Sequence, residues 1–222
     1  MKLTLDVENT TTERNGKLHL DPFEPENSLT MVGMLTDQGV ERIVTFDHSE
    51  VAADDFGHTV VQEWLDKTTV LICHNAAYDL MWLWESGFKY DGPVFDTMLA
   101  EYVLQRGIKE PLSLEACAER YELDTKKQDT LKEYFKKGYS TRDIPHDELS
   151  EYLSADLHAT QQLSDKLVHR LNTEADARLM PTVTLTNDVA VCLSRIYQRG
   201  FSVDVAKLDE VRQEFEQEKR HL

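Results

Sequence analysis

The sequence predicts an α/β fold, a mixed β-sheet flanked by α-helices, followed by a helical segment. Three observations lead there. Apolar residues alternate in LTLDVE and in two further runs of the first third, the short apolar run VLIC is bounded by polar residues, and beyond Gly87 the apolar positions recur mostly at helical spacing. Strands first and in the middle, with helices between and after, suit a mixed sheet covered by helices. With 222 residues, 41% hydrophobic and 29% charged, the chain can bury one good core plus an appendage. The expected division is a main domain over 1–175 and a helical segment over 176–222.

LTLDVEN is the first strand, with Leu3, Leu5 and Val7 on one face and Thr4, Asp6 and Glu8 on the other. TTTERNGKLHLDPFEPEN reads as a polar connection with a turn at Asn15-Gly16. SLTMVGMLTD and ERIVTFDH, separated by Gln38-Gly39, form an antiparallel hairpin. A helix runs from Asp54 to near Lys67, TTVLICHN is a buried central strand, and AAYDLMWLWESG is a helix stopped at Gly87. Trp82 and Trp84 read as core packing under the sheet. Helices follow in DTMLAEYVLQRG, in LSLEACAERYEL, in the lysine-rich KKQDTLKEYFKK, and from about His146 to Asn172, the last with Leu149, Leu153, Thr160, Leu163, Leu167 and Leu171 as its buried stripe. From Met180 a separate unit begins. Pro181 suits a first helical turn, Val189, Leu193, Ile196 and Tyr197 form an apolar face, and Gly200 is a stop. Asp204 caps a second helix with Leu208, Val211, Phe215 and Leu222 on its stripe. That stripe has no closing element, which leaves a chain cut short, a partner chain, or folding back on the first domain as readings.

No apolar run reaches the roughly 18 residues of a membrane span, and the start lacks the basic and apolar pattern of a signal peptide, so a cytoplasmic protein is expected. Cys73, Cys117 and Cys192 are far apart with no CxxC, and read as reduced, buried thiols rather than a zinc site. A net charge of −17 excludes a protein that holds nucleic acid through its overall field. One local exception is residues 126–137, with five lysines against two acids. That run reads either as a solvated helix face or as a track for a phosphate backbone.

Asp6 and Glu8 place like charges on one strand face, which is tolerable only where the face meets water or a cation is held between them. Asp79 falls in the first turn of a helix, where it also reads as a partner for the helix dipole, and Asn75 at the corner before it also reads as a cap. Tyr152 and Asp156, four apart, project together from the late helix; such a pair is often only a surface hydrogen bond. In order, the chain carries DxE on a first strand, NxxYD at a strand-to-helix junction and YxxxD on a late helix.

With these motifs the chain resembles the DEDDy class of 3′-5′ exonucleases, most closely the proofreading domain of family A DNA polymerases, bacteriophage and bacterial. FDTMLAEYVL and LSLEACAERYEL are similar to that family's connecting helices, and MPTVTLTNDVAVCLSRIYQRGFSVDVAKLDEVRQEFE looks like its passage into the polymerase part, whose own motifs are absent. The resemblance covers roughly 1–172. It implies a ribonuclease H-like fold and two-metal hydrolysis of DNA from the 3′ end to 5′-mononucleotides, with Asp6, Glu8, Asp79 and Asp156 as ligands of Mg²⁺ or Mn²⁺. In it Tyr152 orients the attacking water, and Glu151 stands where related enzymes have a histidine. It places Asn75 near the substrate phosphates or sugar, and Thr10 and Thr12 where the terminal base is gripped, Thr12 departing from a frequent leucine wedge. Leu131 or Phe135 is expected to stack on a frayed base. The expected partners are a single-stranded DNA 3′ end or frayed primer terminus, and a polymerase domain in cis or as a separate chain. The same acids also fit a ribonuclease D-like RNA trimmer, and a non-catalytic docking or single-strand-binding module is the reading outside enzymes.

Overall fold

The computed structural model describes residues 1–123, 130–173 and 177–221. Five strands form one sheet in the order β5-β4-β1-β6-β7, where β1 is Lys2–Asn9, β4 Leu29–Thr36, β5 Glu41–Thr45, β6 Val70–Cys73 and β7 Val94–Asp96. β1 lies at the centre, antiparallel to β4 and parallel to β6, and β7 continues the parallel half, so the sheet is mixed as expected. A further pair, β2 (Thr12–Arg14) and β3 (Lys17–His19), stands apart as a two-stranded hairpin.

Helices cover both faces. Leu3, Leu5 and Val7 of β1 pack with Val61 and Leu65 of α1 (Gly57–Asp66) and with Leu80, Trp82, Leu83 and Trp84 of α2 (Ala76–Glu85). Both tryptophans are core residues, as their spacing predicts. On the other face lies the long helix α6 (His146–Thr173), whose predicted stripe from Leu149 to Leu171 is buried throughout. It joins α3 (Thr97–Leu104) and α4 (Leu114–Arg120) in one cluster, and Leu131 of α5 (Thr130–Lys136) in another.

The approach of α6 to the sheet is set by Gly33, which pairs with Asp6 across the β1–β4 ladder. A Cβ at Gly33 would lie 2.8 Å from both Leu153 Cγ and Leu157 Cδ1. Glycine at this register is therefore what lets α6 lie flat against β1.

The structure corrects several expectations. The polar connection after β1 folds as the β2–β3 hairpin, with Asn15 and Gly16 both at positive φ in the manner of a tight hairpin turn. Its strands are three residues each and largely charged, too short for alternation to register. β7 was likewise missed at three residues. Cys73 and Cys117 are buried but Cys192 is exposed, because α7 (Met180–Arg199) turns a different face inward than its apolar pattern predicts. Val183, Asn187 and Ser194 are buried, whereas Val189, Leu193, Ile196 and Tyr197 are 47–63% exposed. The inward face mixes Val183 and Val191, packed against the two apolar clusters, with polar groups that reach the strand edge: Asn187 Nδ2 donates to Val94 O of β7, and Arg195 donates to Tyr90 O while lying over the Trp84 ring at 3.8 Å. Asp204 caps α8 (Val205–His221) as predicted, Oδ1 accepting from Lys207 N, but Leu208 and Phe215 of its stripe are exposed and Leu222 lies outside the described residues. Among the described residues no helix is long and apolar enough to cross a membrane.

Replacing Gly33 with valine should cost about 1–3 kcal/mol through overpacking, read as a lowered melting temperature of roughly 2–4 °C per kcal/mol. Unchanged melting would mean that α6 can shift without cost.

Candidate active site

The alternation of β1 turns Asp6 and Glu8 to the α6 side, at the end of the strand where β6 passes into α2 and where the first turns of α6 cross. Both carboxylates are half-buried. Asn75 makes the β6–α2 corner in the left-handed conformation, φ 74°, which asparagine tolerates better than most residues. One turn into α2 stands Asp79, 2% exposed.

Burial pushes the Asp79 carboxyl well above the usual carboxylate range, and the charges of Asp6 and then Asp96 push it further in the same direction. Its Oδ1 is buried with no hydrogen-bond partner. Asp79 is thus no surface partner of the helix dipole; it is a carboxyl held beside another carboxylate. From α6, Asp156 is 7% exposed, and Tyr152 hydrogen-bonds to it across one helical turn. The Tyr152 phenol is pushed far up by burial, then by the negative charges of Asp156, Glu8 and Asp6. Its hydroxyl therefore keeps its proton at neutral pH and cannot itself act as a base. Cys73, at the end of β6, is pushed up by burial and then by Asp79, Asp96 and Asp6. These mutual influences tie residues 6, 8, 79, 152 and 156 into one neighbourhood, although they are far apart in the chain.

The carboxylates gather without closing round a point: among the described residues, no three His, Cys, Asp or Glu side chains are arranged to hold an ion as they stand. The donor set nevertheless fits a hard divalent cation. All four ligand candidates supply carboxylate oxygens, and the unpartnered Oδ1 of Asp79 beside Asp6 is the kind of atom that a cation stabilises.

One residue that sequence reasoning passed over organises this corner. Asp96, 1% exposed, ends β7 and caps α3, accepting from Met98 N at 2.9 Å and Leu99 N at 3.2 Å. The same carboxylate accepts from Asn75 N at 3.1 Å and Ala76 N at 2.8 Å. It therefore pins the N-terminus of α2, which carries Asp79, to that of α3. An Asp-Thr pair ahead of an apolar helix was the available signal for one cap; the second is long-range and invisible in sequence.

The remaining candidates divide. A cavity of about 580 Å³ opens beside Glu8, and Thr11, Tyr78, Phe135 and Tyr139 line it. Thr10 and Thr12 do not. Thr10 is buried with Oγ1 accepting from Ser28 N at 2.7 Å, and Thr12 Oγ1 donates to Asn27 Oδ1 at 2.7 Å. Both side chains are held by the segment at Asn27 and Ser28, and Thr11, between them, lines the cavity instead. Leu131 is 3% exposed in the core with Ile144 and Leu149, which removes it as a stacking residue; Phe135, one turn on, is 48% exposed at the cavity. Asn75 is exposed and its side chain makes no capping bond. Of the lysine-rich run, residues 126–129 lie outside the described residues. His146 and His158 are engaged away from the acids, with Thr45 Oγ1 at 3.0 Å and Glu41 Oε2 at 2.9 Å.

A five-stranded mixed sheet with helices on both faces and carboxylates gathered at one end of its central strand defines a ribonuclease H-like exonuclease fold. Residues 21–172 match the family described as 3′-5′ exonuclease, and the chain belongs to that family. Enzymes of this family generally use divalent metal ions. Among solved structures the fold is similar to Brucella melitensis NrnC with bound Mg²⁺, at TM-score 0.61 and 19% identity over 90% of this chain and 86% of that one. It is also similar to the POL domain of Pol1 from M. smegmatis in complex with DNA primer-template and dNTP, at TM-score 0.65 and 18% identity over 99% of this chain and 32% of that one. Escherichia coli RNase D, an exoribonuclease involved in structured RNA processing, aligns at TM-score 0.60 and 13% identity over 90% of this chain and 46% of that one. Among curated proteins no sequence matches.

Two predictions follow from the buried carboxyls. Because folded Asp79 holds its proton to higher pH than the unfolded chain does, its contribution to stability is full at acid pH and is lost as pH rises from about 4, the ordinary carboxylate value, toward the raised one. In chelator, Asp79→Asn should flatten that loss and raise the neutral-pH melting temperature by roughly 2–4 °C per kcal/mol of relieved repulsion; a fall would show the carboxylate to be stabilising. Asp96→Ala should instead lower stability by about 2–4 kcal/mol, since it strips both helix N-termini of a charged acceptor, measurable by urea unfolding.

Proposed function

We propose that the chain is a metal-dependent exonuclease that removes 5′-mononucleotides from the 3′ end of DNA, as the proofreading part of a family A polymerase. The observation that carries the hydrolytic reading is the single neighbourhood formed by Asp6, Glu8, Asp79, Asp156 and Tyr152. In this reading Asp6, Glu8 and Asp156 hold one divalent ion, Mg²⁺ or Mn²⁺, and Asp6 and Asp79 a second. Bound there, the ions supply the positive charge and Lewis acidity that phosphodiester hydrolysis needs at neutral pH. The protein contributes placement. The sheet end fixes Asp6 and Glu8, Asp96 fixes the helix bearing Asp79, and Gly33 sets the depth of the helix bearing Asp156. Tyr152, kept as a neutral phenol, orients a water molecule through its hydroxyl, and removal of the water proton falls to another base.

DNA as substrate is supported by the family-A-like text of the connecting helices and by the alignment with the Pol1 structure, which runs through α7 and α8. A second reading, trimming of RNA or short oligonucleotides, is favoured by a different observation. The alignment with NrnC spans 86% of that chain, and NrnC has been solved bound to pGG.

A 5′-labelled DNA primer, matched or mismatched at its 3′ end, should be shortened stepwise with Mg²⁺ or Mn²⁺ and left intact in chelator. Tyr152→Phe should reduce kcat by about 10²-fold with little change in KM, and Asp6→Ala should leave only background. Nuclease activity that survives Asp6→Ala in a clean preparation sinks the assignment. An RNA oligonucleotide of the same sequence, degraded faster than the DNA, would select the second reading.

A further inference from the structure

The corner between β6 and α2 leads to Asp79, and its geometry has to be fixed from outside. Asn75 sits there at φ 74°, a left-handed conformation that asparagine reaches more readily than most residues but that the surrounding structure must still hold. Two consecutive residues at the start of α3 grip four consecutive residues of the corner. Asp96 accepts from Asn75 N at 3.1 Å and from Ala76 N at 2.8 Å. Thr97, fully buried, donates from Oγ1 to Cys73 O at 3.1 Å, and the same oxygen lies 2.8 Å from His74 Nδ1. His74 also reaches a third element: its Nε2 donates to Leu112 O at 2.8 Å, immediately before Ser113 caps α4.

The number of protons available decides how this ring is held. A carbonyl oxygen only accepts, so His74 Nε2 carries a proton. The Thr97 hydroxyl has one proton, directed at Cys73 O, so toward His74 it is the acceptor and Nδ1 carries a proton as well. A ring that donates from both nitrogens is an imidazolium. A neutral ring would have to take the Thr97 proton and leave Cys73 O without that donor, at a hydroxyl closed to water. The surroundings suit a cation. The charges of Asp79, Asp96 and Asp6 all act on Cys73, the residue before His74, so the ring stands in a negative field. The titratable groups around it include those three carboxyls, from α2, β7 and β1, and two buried thiols, Cys73 and Cys117 of α4, whose Sγ shares the Leu112 O acceptor at 3.7 Å.

We propose that His74 is a positioning residue, an imidazolium strut that ties the β6–α2 corner to the starts of α3 and α4 and so fixes where α2 presents Asp79. The inference rests on the exonuclease reading for what that placement serves, and on hydrogen-bond geometry for the strut itself. His74 acts through the corner and not on substrate: both ring nitrogens are engaged with protein, and the ring does not line the cavity beside Glu8.

Two measurements on the full chain in chelator test the strut without hydrolysis, and a third reads its role. The long-range ¹H–¹⁵N spectrum of the wild type at neutral pH, with the His74 ring assigned by its absence from His74→Gln, should show protons on both nitrogens; a ring with one bare nitrogen overturns the strut. His74→Phe, which keeps a flat ring and removes both donors, should speed amide hydrogen exchange at Asn75 and Ala76 about tenfold while the amides of α1 keep their protection. Unchanged exchange at the corner also overturns it. On a labelled primer with Mg²⁺, His74→Phe should lower kcat about tenfold with KM within about twofold, and His74→Gln, which restores a donor toward Leu112 O, should recover part of that loss. Faster exchange with unchanged kcat overturns the positioning role. A wild type that hydrolyses nothing yet shows the doubly protonated ring and the exchange effect would remove the nuclease reading and leave the strut standing, and hydrolysis with a neutral His74 would do the reverse.

Discussion

The arrangement depends on burying like charges together. Asp79 is nearly inaccessible, and the charges that act on it most are the negative ones of Asp6 and Asp96. A carboxylate in that position is unfavourable both by desolvation and by repulsion, and the two effects add. Elsewhere the chain handles a buried acid in the ordinary way. Glu101, 1% exposed, accepts from Arg120 at 2.7 Å and from Tyr121 Oη at 2.5 Å. The contrast is informative: the fold can satisfy a buried carboxylate, and at Asp79 one oxygen is left without a partner. Such a site suits the proposed role of the four acids, since a bound cation would relieve that repulsion.

The strain is sustained by elements that hold their positions for other reasons. Asp96 accepts from four backbone N–H groups, which offset part of its burial, although burial still holds its carboxyl above the usual range, and it fixes the strand-to-helix corner. Gly33, opposite Asp6, removes the side chain that would lift α6, and the leucines of α6 fill that space instead. Placement of the acids thus rests on one cap and one missing Cβ, both distant in sequence from the groups they position.

Much of this was legible in the sequence, and the failures have identifiable causes. Long amphipathic elements with one buried face, β1 and α6, read correctly because period and burial coincide. The helix bearing Asp79, α2, also lies where its sequence predicts, stopped at Gly87. Thr10 and Thr12 came from the resemblance alone, and both side chains are tied to the Asn27–Ser28 segment by long-range hydrogen bonds that no local pattern reveals. Leu131 was misread because a leucine among lysines on a short helix is equally consistent with the core and with the surface. For α7 the apolar stripe was real, yet it is not what packs inward, because docking on the open edge of β7 rewards hydrogen-bonding residues such as Asn187 over apolar ones. Periodicity identifies a stripe; it does not identify what covers it.

The remaining tension is between a chain of net charge −17 and a polyanionic substrate. Overall charge acts over distances comparable to the Debye length, about 8 Å at physiological ionic strength, and beyond that it is screened. What decides binding is therefore the local arrangement, and it is graded across a short distance. The acids lie in the β1, α2 and α6 neighbourhood, where divalent ions would reverse their sign. Apolar rings and leucines lie next to them around the cavity, and Lys17, Lys136 and Lys137, near lining residues in sequence, are exposed. A duplex, presenting many phosphates and no free base faces, gains little from such a surface and is repelled by the rest. A frayed end presents few phosphates and bare rings, and it gains from each layer in turn. On the proposed exonuclease reading, an acidic body acts as a filter: it would weaken attachment along the length of a nucleic acid and favour an unpaired terminus.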